Sequence, residues 1–137
     1  MDFLDAPVTQ CDEANKRFGM NNCCNNPIPI ACDNVGWPEF EKYGFTVKTT
    51  TPNAPLTWEQ ITSQIHCKKA PFAFSWQYDG LGAHMMVAIG YDSQLGTNYV
   101  VINDPDDIGD YRIITYDAYV SGPGYTHLND YYDVTKP

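Results

Sequence analysis

Two short runs of this chain bring together residue types that do acid–base chemistry. The first is Gly80-Leu-Gly-Ala-His84-Met-Met-Val-Ala-Ile-Gly-Tyr-Asp92, and the second is Tyr99-Val-Val-Ile-Asn103-Asp104-Pro105. A glycine-loosened loop delivers His84 to the first position of an apolar strand, and a second apolar strand ends on Asn103, Asp104 and Pro105. Twenty positions separate His84 from Asp104, which suits neighbouring antiparallel strands joined by a hairpin loop over Asp92 to Asn98. A neutral imidazole held in one tautomer by an acceptor is the general base of nucleophilic hydrolases. Thiol-dependent amide hydrolysis needs a thiolate, that imidazole, a group that orients it, and donors for the oxyanion. His84 and Asp104 are candidates for base and orienter, and the nucleophile is the part that the chain is expected to lack. The same residues also read as an ordinary strand histidine followed by a strand-ending turn.

Metal chemistry fits less well. Asp104-Pro-Asp-Asp-Ile-Gly-Asp110 alternates oxygens around a sixth-place glycine, but Ile108 stands fifth, Pro105 stiffens the start and no glutamate sits twelfth. It reads as a solvated acidic turn rather than a calcium loop. His66 and His127 have no acidic or cysteine partner at ligand spacing and read as surface or core histidines. No metal and no cofactor is expected.

Cys11, Cys23, Cys24 and Cys32 fall in the first quarter, with Cys67 apart. Adjacent cysteines in a loop of Asn and Pro do not suit a zinc knuckle, whose pairs are spaced by two to four residues. Two disulfides are the better reading, and they need an oxidising compartment. Vicinal Cys23 and Cys24 pair most easily with different partners, which makes Cys11 and Cys32 the candidates and leaves the connectivity open. Cys67 is then expected to be a free, buried thiol.

The elements that must position these groups follow from composition and pattern. The chain has 137 residues, 43% of them hydrophobic, enough for one domain with a real core. A net charge of -9, with no basic cluster larger than Lys68-Lys69, argues against nucleic acid or an anionic membrane as a partner. No run approaches the roughly 20 apolar residues of a membrane span, and Met1-Asp-Phe-Leu-Asp5 is too acidic and short for a signal peptide. Thr9 begins a helix with Cys11, Ala14 and Phe18 on one face and Gly19 past its end. A second short helix starts at Pro38 and runs through Phe40 to Tyr43 before Gly44. Thr57 and Gln60 form a capping box for a third, in which Trp58, Ile61 and Ile65 share a face ahead of Lys68, Lys69 and Pro71. From Pro71 the chain turns to strands at 72–76, 85–89, 99–102 and 111–116, and a weaker one at 131–134. Helices followed by a curved antiparallel sheet give an α+β class. The ten tyrosines, with Trp58 and Trp76, could line a groove for peptide or glycan, but such residues more often build cores and interfaces.

With these pieces in place, the sequence resembles the papain-like cysteine peptidases, in particular short bacterial forms akin to the leader-peptide-cleaving peptidases. The matching elements are Val8-Thr-Gln-Cys-Asp-Glu-Ala-Asn15, Cys23-Cys24-Asn-Asn-Pro27, Gly82-Ala-His84-Met-Met-Val-Ala-Ile-Gly-Tyr-Asp92, Asn103-Asp104-Pro105 and Tyr125-Thr-His127. They span Val8 to Val134, nearly the whole chain. The resemblance implies one papain-like domain over 1–137, with a helical lobe remnant in 1–70 and a sheet lobe in 71–137. It implies His84 as general base and Asp104 as its orienter, with Asn103 second because other papain relatives use asparagine. It also implies a cleft that binds an extended peptide. The family's nucleophile lies upstream of the Thr-Gln-Cys segment, in a Cys-Trp-Ala-Ala type motif at the start of a long central helix, with an oxyanion glutamine before it. Neither motif occurs in this sequence, and Met1 to Asp5 match the far end of that helix.

Three functions are therefore expected in order. The first is a papain-like peptidase, inactive by itself, whose thiolate and glutamine come from an upstream segment or a second chain. The second is a pseudo-peptidase that binds a peptide or protein without turnover. The third is a small secreted structural domain.

Overall fold

Helix α1 (Gln10–Phe18) starts on the residue that the sequence singles out. The Thr9 hydroxyl accepts from the Asp12 N–H and the Asp12 carboxylate accepts from the Thr9 N–H, a reciprocal cap of the first turn. It ends at Gly19, whose φ of 65° lets its N–H turn back to the Asn15 carbonyl. The structure, a computed structural model, describes residues 8–33, 39–106 and 111–137. Met1 to Asp5, Pro38 and the acidic turn beyond Asp106 lie outside the described residues. The chain divides into two compact units, 1–45 with 135–137 and 46–134. The division falls at 45/46, so the helix begun by Thr57 belongs to the second unit.

In the first unit the cysteines pair as Cys11 with Cys24 and Cys23 with Cys32, Cα to Cα 5.0 and 5.6 Å. The vicinal residues do take different partners. Both bridges close on the loop after α1, and the Asn15 side-chain Oδ1 accepts a 2.9 Å hydrogen bond from the Cys23 N–H. The loop has few apolar side chains to bury, with Ile28 and Ile30 exposed, so covalent links supply what a core would otherwise provide. Two such bridges fit an oxidising compartment. A 3₁₀ turn over Phe40–Tyr43 replaces the expected second helix and stops at Gly44 in the left-handed region.

The second unit carries an antiparallel sheet. Its strands are β1 (Thr46–Thr49), β2 (Phe72–Tyr78), β3 (Gly82–Gln94), β4 (Thr97–Asn103), β5 (Arg112–Thr115), β6 (Ser121–Gly122) and β7 (Tyr125–Thr135). The order is β1-β7-β2-β3-β4-β5, with β6 beside β7. Helix α2 (Trp58–Thr62) has the expected Thr57–Gln60 capping box and continues as a π turn over Ser63–Cys67. Helix α3 (Tyr116–Val120) follows β5 directly. Strands β3 and β4 outrun the sequence reading, because Leu95 and Gly96, both at positive φ, close a tight turn where a longer loop is expected. Among the described residues no helix is long and apolar enough to cross a membrane.

Period-two alternation selects the core. Phe72, Phe74 and Trp76 from β2, Met86 and Ala88 from β3, and Val100 and Ile102 from β4 share one face and pack with Leu56, Ile61 and Tyr119. Full burial of each large side chain contributes about 1.5–3 kcal/mol. Phe72, Phe74, Trp76 and Tyr119 are the aromatic residues buried in this core, in edge-to-face contacts such as Phe74 with Tyr119 and Phe72 with Tyr119. The expected burial of Cys67 does not hold. It ends the π turn and is exposed, because the face of that turn that packs inward is carried by Gln64 and Ile65.

One polar group sits inside this core. Asp130 on β7 is fully buried; it accepts from the Thr50 hydroxyl at 3.0 Å, the Leu56 N–H at 3.2 Å and the Tyr119 hydroxyl, and lies 2.9 Å from His127 Nε2, whose Nδ1 meets the Tyr119 carbonyl at 3.1 Å. Burial and the Asp130 charge push the Tyr119 phenol far above its ordinary range, so it remains a donor. His127 and Asp130 are three apart and would ordinarily face opposite sides of a strand. A bulge corrects the parity: Ser75 pairs with Asn129 and Trp76 with His127, which leaves Leu128 unpaired. His127 is thus a core histidine, but it has an acidic partner that sequence spacing hid.

Two outcomes follow. Fragment mass spectrometry of the unreduced protein should join Cys11 to Cys24 and Cys23 to Cys32, and removing either pair should cost about 2–4 kcal/mol in urea unfolding. Asp130→Ala should cost about 3–5 kcal/mol in the same assay, since it strands several buried donors at once.

Candidate active site

His84 is the third residue of β3 rather than its first, and its neighbours decide which way it faces. It pairs with Trp76, and Met86 pairs with Phe74, so His84 shares the core face of the sheet at the end of β3 where the packed core gives way to solvent. On β4, Ile102 pairs with Ala88 and Asn103 with Val87. Directly opposed residues point to the same side, so Asn103 faces away with the exposed Val87 while Asp104, one residue on, returns to the side of His84. Parity thus separates the two candidate orienters: Asp104 meets His84, and Asn103 is exposed on the other face.

The contact is direct. His84 Nε2 lies 2.6 Å from Asp104 Oδ1, with the histidine side chain 21% and the carboxylate 8% exposed. Asp104 Oδ1 also accepts the Asp106 N–H at 3.0 Å, and Oδ2 accepts from the Arg112 guanidinium at 3.2 Å. The exposed Asp106 carboxylate lies 3.8 Å from His84 Nε2. Burial alone would raise the Asp104 carboxyl. The Asp106 N–H, the His84 hydrogen bond and the charges of His84 and Arg112 outweigh it and hold the group below its ordinary 3.8. Asp104 is therefore an anion at neutral pH and an acceptor for Nε2–H. In the neutral ring this leaves Nδ1 as the lone-pair nitrogen, and Nδ1 has no hydrogen-bond partner among the described residues. An imidazole with an ionised acceptor behind it and an open nitrogen in front can take a proton from a nucleophile and stabilise the resulting ion pair.

Arg112 is the member that sequence reading missed. It opens β5 opposite Ile102, so β3, the residue just past β4, and β5 contribute His84, Asp104 and Arg112 to one side of the sheet. The only signal in the sequence is the strand pattern of 111–116 itself, and that becomes informative only once the β4–β5 register is known.

The cysteines do not join this group. Cys11, Cys23, Cys24 and Cys32 are oxidised. Cys67 precedes β2, whose first residue Phe72 pairs with Ala88, four residues or about 13 Å along β3 from His84. Trp58, at the start of the same helical segment, touches Tyr91 still farther along β3. His66, beside Cys67, is exposed.

His84, Asp104 and Asp106 also lie close enough to contact one cation. The 2.6 Å spacing of the first two is a hydrogen bond's, and the Arg112 guanidinium on Asp104 opposes a second positive charge there. Comparison with protein-family models, with curated proteins and with solved structures finds no match for this chain.

The depressed Asp104 carboxyl makes a prediction with a definite sign. A group whose pKa is lowered on folding contributes stability above its unfolded value, lost as pH falls through the folded value. The stability difference between the native protein and Asp104→Asn should therefore be largest at neutral pH and shrink below about pH 4, as read by urea unfolding at stepped pH.

Proposed function

We propose that His84 and Asp104 are the general base and orienter of a papain-like cysteine peptidase whose thiolate and oxyanion donor come from outside this sequence, in an upstream segment or a second chain. The observation that carries this reading is the 2.6 Å contact of His84 Nε2 with an ionised, largely buried Asp104, which leaves Nδ1 open. The α+β arrangement and the oxidised cysteines are compatible with it, as is a secreted location.

In this reading an incoming cysteine gives its proton to Nδ1 and the resulting imidazolium rests on Asp104. The thiolate attacks the amide carbonyl and the imidazolium returns its proton to the leaving amine. Asp104 remains ionised throughout and holds the ring by Nε2–H. Arg112 donates to Oδ2 of the carboxylate and Asp106 gives its N–H to Oδ1.

A second reading, a pseudo-peptidase that binds peptide without turnover, is favoured by one observation: four of the five cysteines are oxidised, and among the described residues the free Cys67 makes no hydrogen bond to His84. The two separate experimentally. A helix-forming peptide that carries the Cys-Trp-Ala-Ala type motif and its upstream glutamine is added to the purified chain, and cleavage of a fluorogenic peptide library is followed. The peptidase reading expects turnover that His84→Ala lowers by about 10²–10⁴-fold. It also expects Asp104→Asn to retain more activity than Asp104→Ala, because an amide oxygen can still accept Nε2–H. A folded complex with peptide affinity and no cleavage would establish the binder instead.

A further inference from the structure

We propose that Arg112 is a positioning residue for the His84 base: by holding the outer oxygen of Asp104 it locks the carboxylate in the orientation that keeps the imidazole proton on Nε2 and Nδ1 open. The importance of that open nitrogen rests on the peptidase reading, but the positioning itself does not.

The argument begins with where Asp104 sits. It is the first residue past the end of β4, so the ladder that holds Val100 to Asn103 no longer fixes its backbone on both sides. An aspartate side chain at such a place turns readily about its last torsion, which is broad and roughly two-fold. Two of its contacts, His84 Nε2 at 2.6 Å and the Asp106 N–H at 3.0 Å, fall on the same oxygen, Oδ1. Contacts to one oxygen leave the carboxylate plane free to swing about that point. Among the described residues the Arg112 guanidinium, at 3.2 Å, holds Oδ2, and only a hold on each oxygen fixes the plane.

Arg112 comes from a different strand, which makes it a fixed reference for a residue that has left its own. It opens β5, pairs with Ile102 and reaches the His84 side by parity. Its side chain is 44% exposed while that of Asp104 is 8% exposed, so water already reaches the side chain that holds this largely buried carboxylate. Removing it opens Oδ2 to water, which competes for the oxygen and lets Oδ1 leave Nε2. The nearby Asp106 carboxylate, 3.8 Å from Nε2, then offers a second and poorly placed acceptor. The Nε2–H then exchanges a 2.6 Å acceptor for weaker ones, Asp106 and water, so its advantage over the Nδ1–H tautomer falls and fewer rings present a lone pair at Nδ1.

The experiment is long-range ¹H–¹⁵N spectroscopy of the His84 ring at a pH where it is neutral, in the native protein and in Arg112→Ala, Arg112→Gln and Arg112→Lys. The native ring should show a protonated Nε2 and a bare Nδ1. Arg112→Ala should lower that tautomer preference by about threefold or more, the share expected of one half-exposed charged hydrogen bond. Arg112→Gln should behave likewise, and Arg112→Lys should recover part of the loss. The ¹³C titration of the Asp104 carboxyl should move upward in the uncharged variants and stay low in Arg112→Lys. Unchanged ring shifts and an unchanged Asp104 midpoint in a folded Arg112→Ala would overturn the proposal, as would a native ring already mixed. If Arg112→Ala fails to fold, Gln and Lys decide it alone. Failure of the peptidase reading shows separately, as absent cleavage with the added nucleophile helix while the ring behaves as described.

Discussion

The buried Asp130 carboxylate is the constraint on which the sheet unit depends. It is hydrogen-bonded to Thr50, Leu56, Tyr119 and His127, which come from the segment after β1, the approach to α2, helix α3 and β7 itself. A buried charge with fewer donors would cost several kcal/mol. This one is satisfied only when all four segments are in place, so it couples parts of the chain as distant as positions 50 and 130. Trp76 joins the same arrangement by donating its indole N–H to the Tyr119 carbonyl at 3.0 Å. Tyr116 adds its hydroxyl on the Leu56 carbonyl at 2.8 Å.

That coupling reaches the candidate site through β2. Trp76 pairs with His127 on one side and His84 on the other, so the strand that is locked to the buried network also sets where His84 stands. The site contrasts with the network in its exposure. His127 and Asp130 are closed off from water, whereas His84 and Asp104 lie at the boundary, where an open ring nitrogen can meet another molecule. Both use a histidine backed by an aspartate, and only burial separates the structural pair from the candidate catalytic one.

The first unit is held by a different principle. Its loop after α1 buries little, and two disulfides that share the vicinal Cys23 and Cys24 tie it to the helix and to the turn at Cys32. Local capping at Thr9 and Gly19 defines α1 without help from distant contacts. This is why its helix was legible from sequence: caps act through neighbours three or four residues away. The same holds for the Thr57–Gln60 cap of α2. The π turn that follows was not legible, since an extra residue per turn responds to packing rather than to local chemistry.

By itself the sequence determined the α+β class, both capped helices, the apolar strands β2 to β5, the presence of two disulfides, and His84 with Asp104 as a plausible pair. These rest on local propensity, alternation and spacing, which act within a few residues. The tertiary structure decided what depends on register. Strand parity set Asp104 rather than Asn103 against His84, and the β4–β5 pairing brought Arg112 to Asp104. A single bulge at Leu128 turned His127 and Asp130 to the same face and made a buried pair from residues that alternation puts on opposite sides. In a sheet a one-residue slip reverses every side chain beyond it, and no local pattern records on which strand that slip occurs.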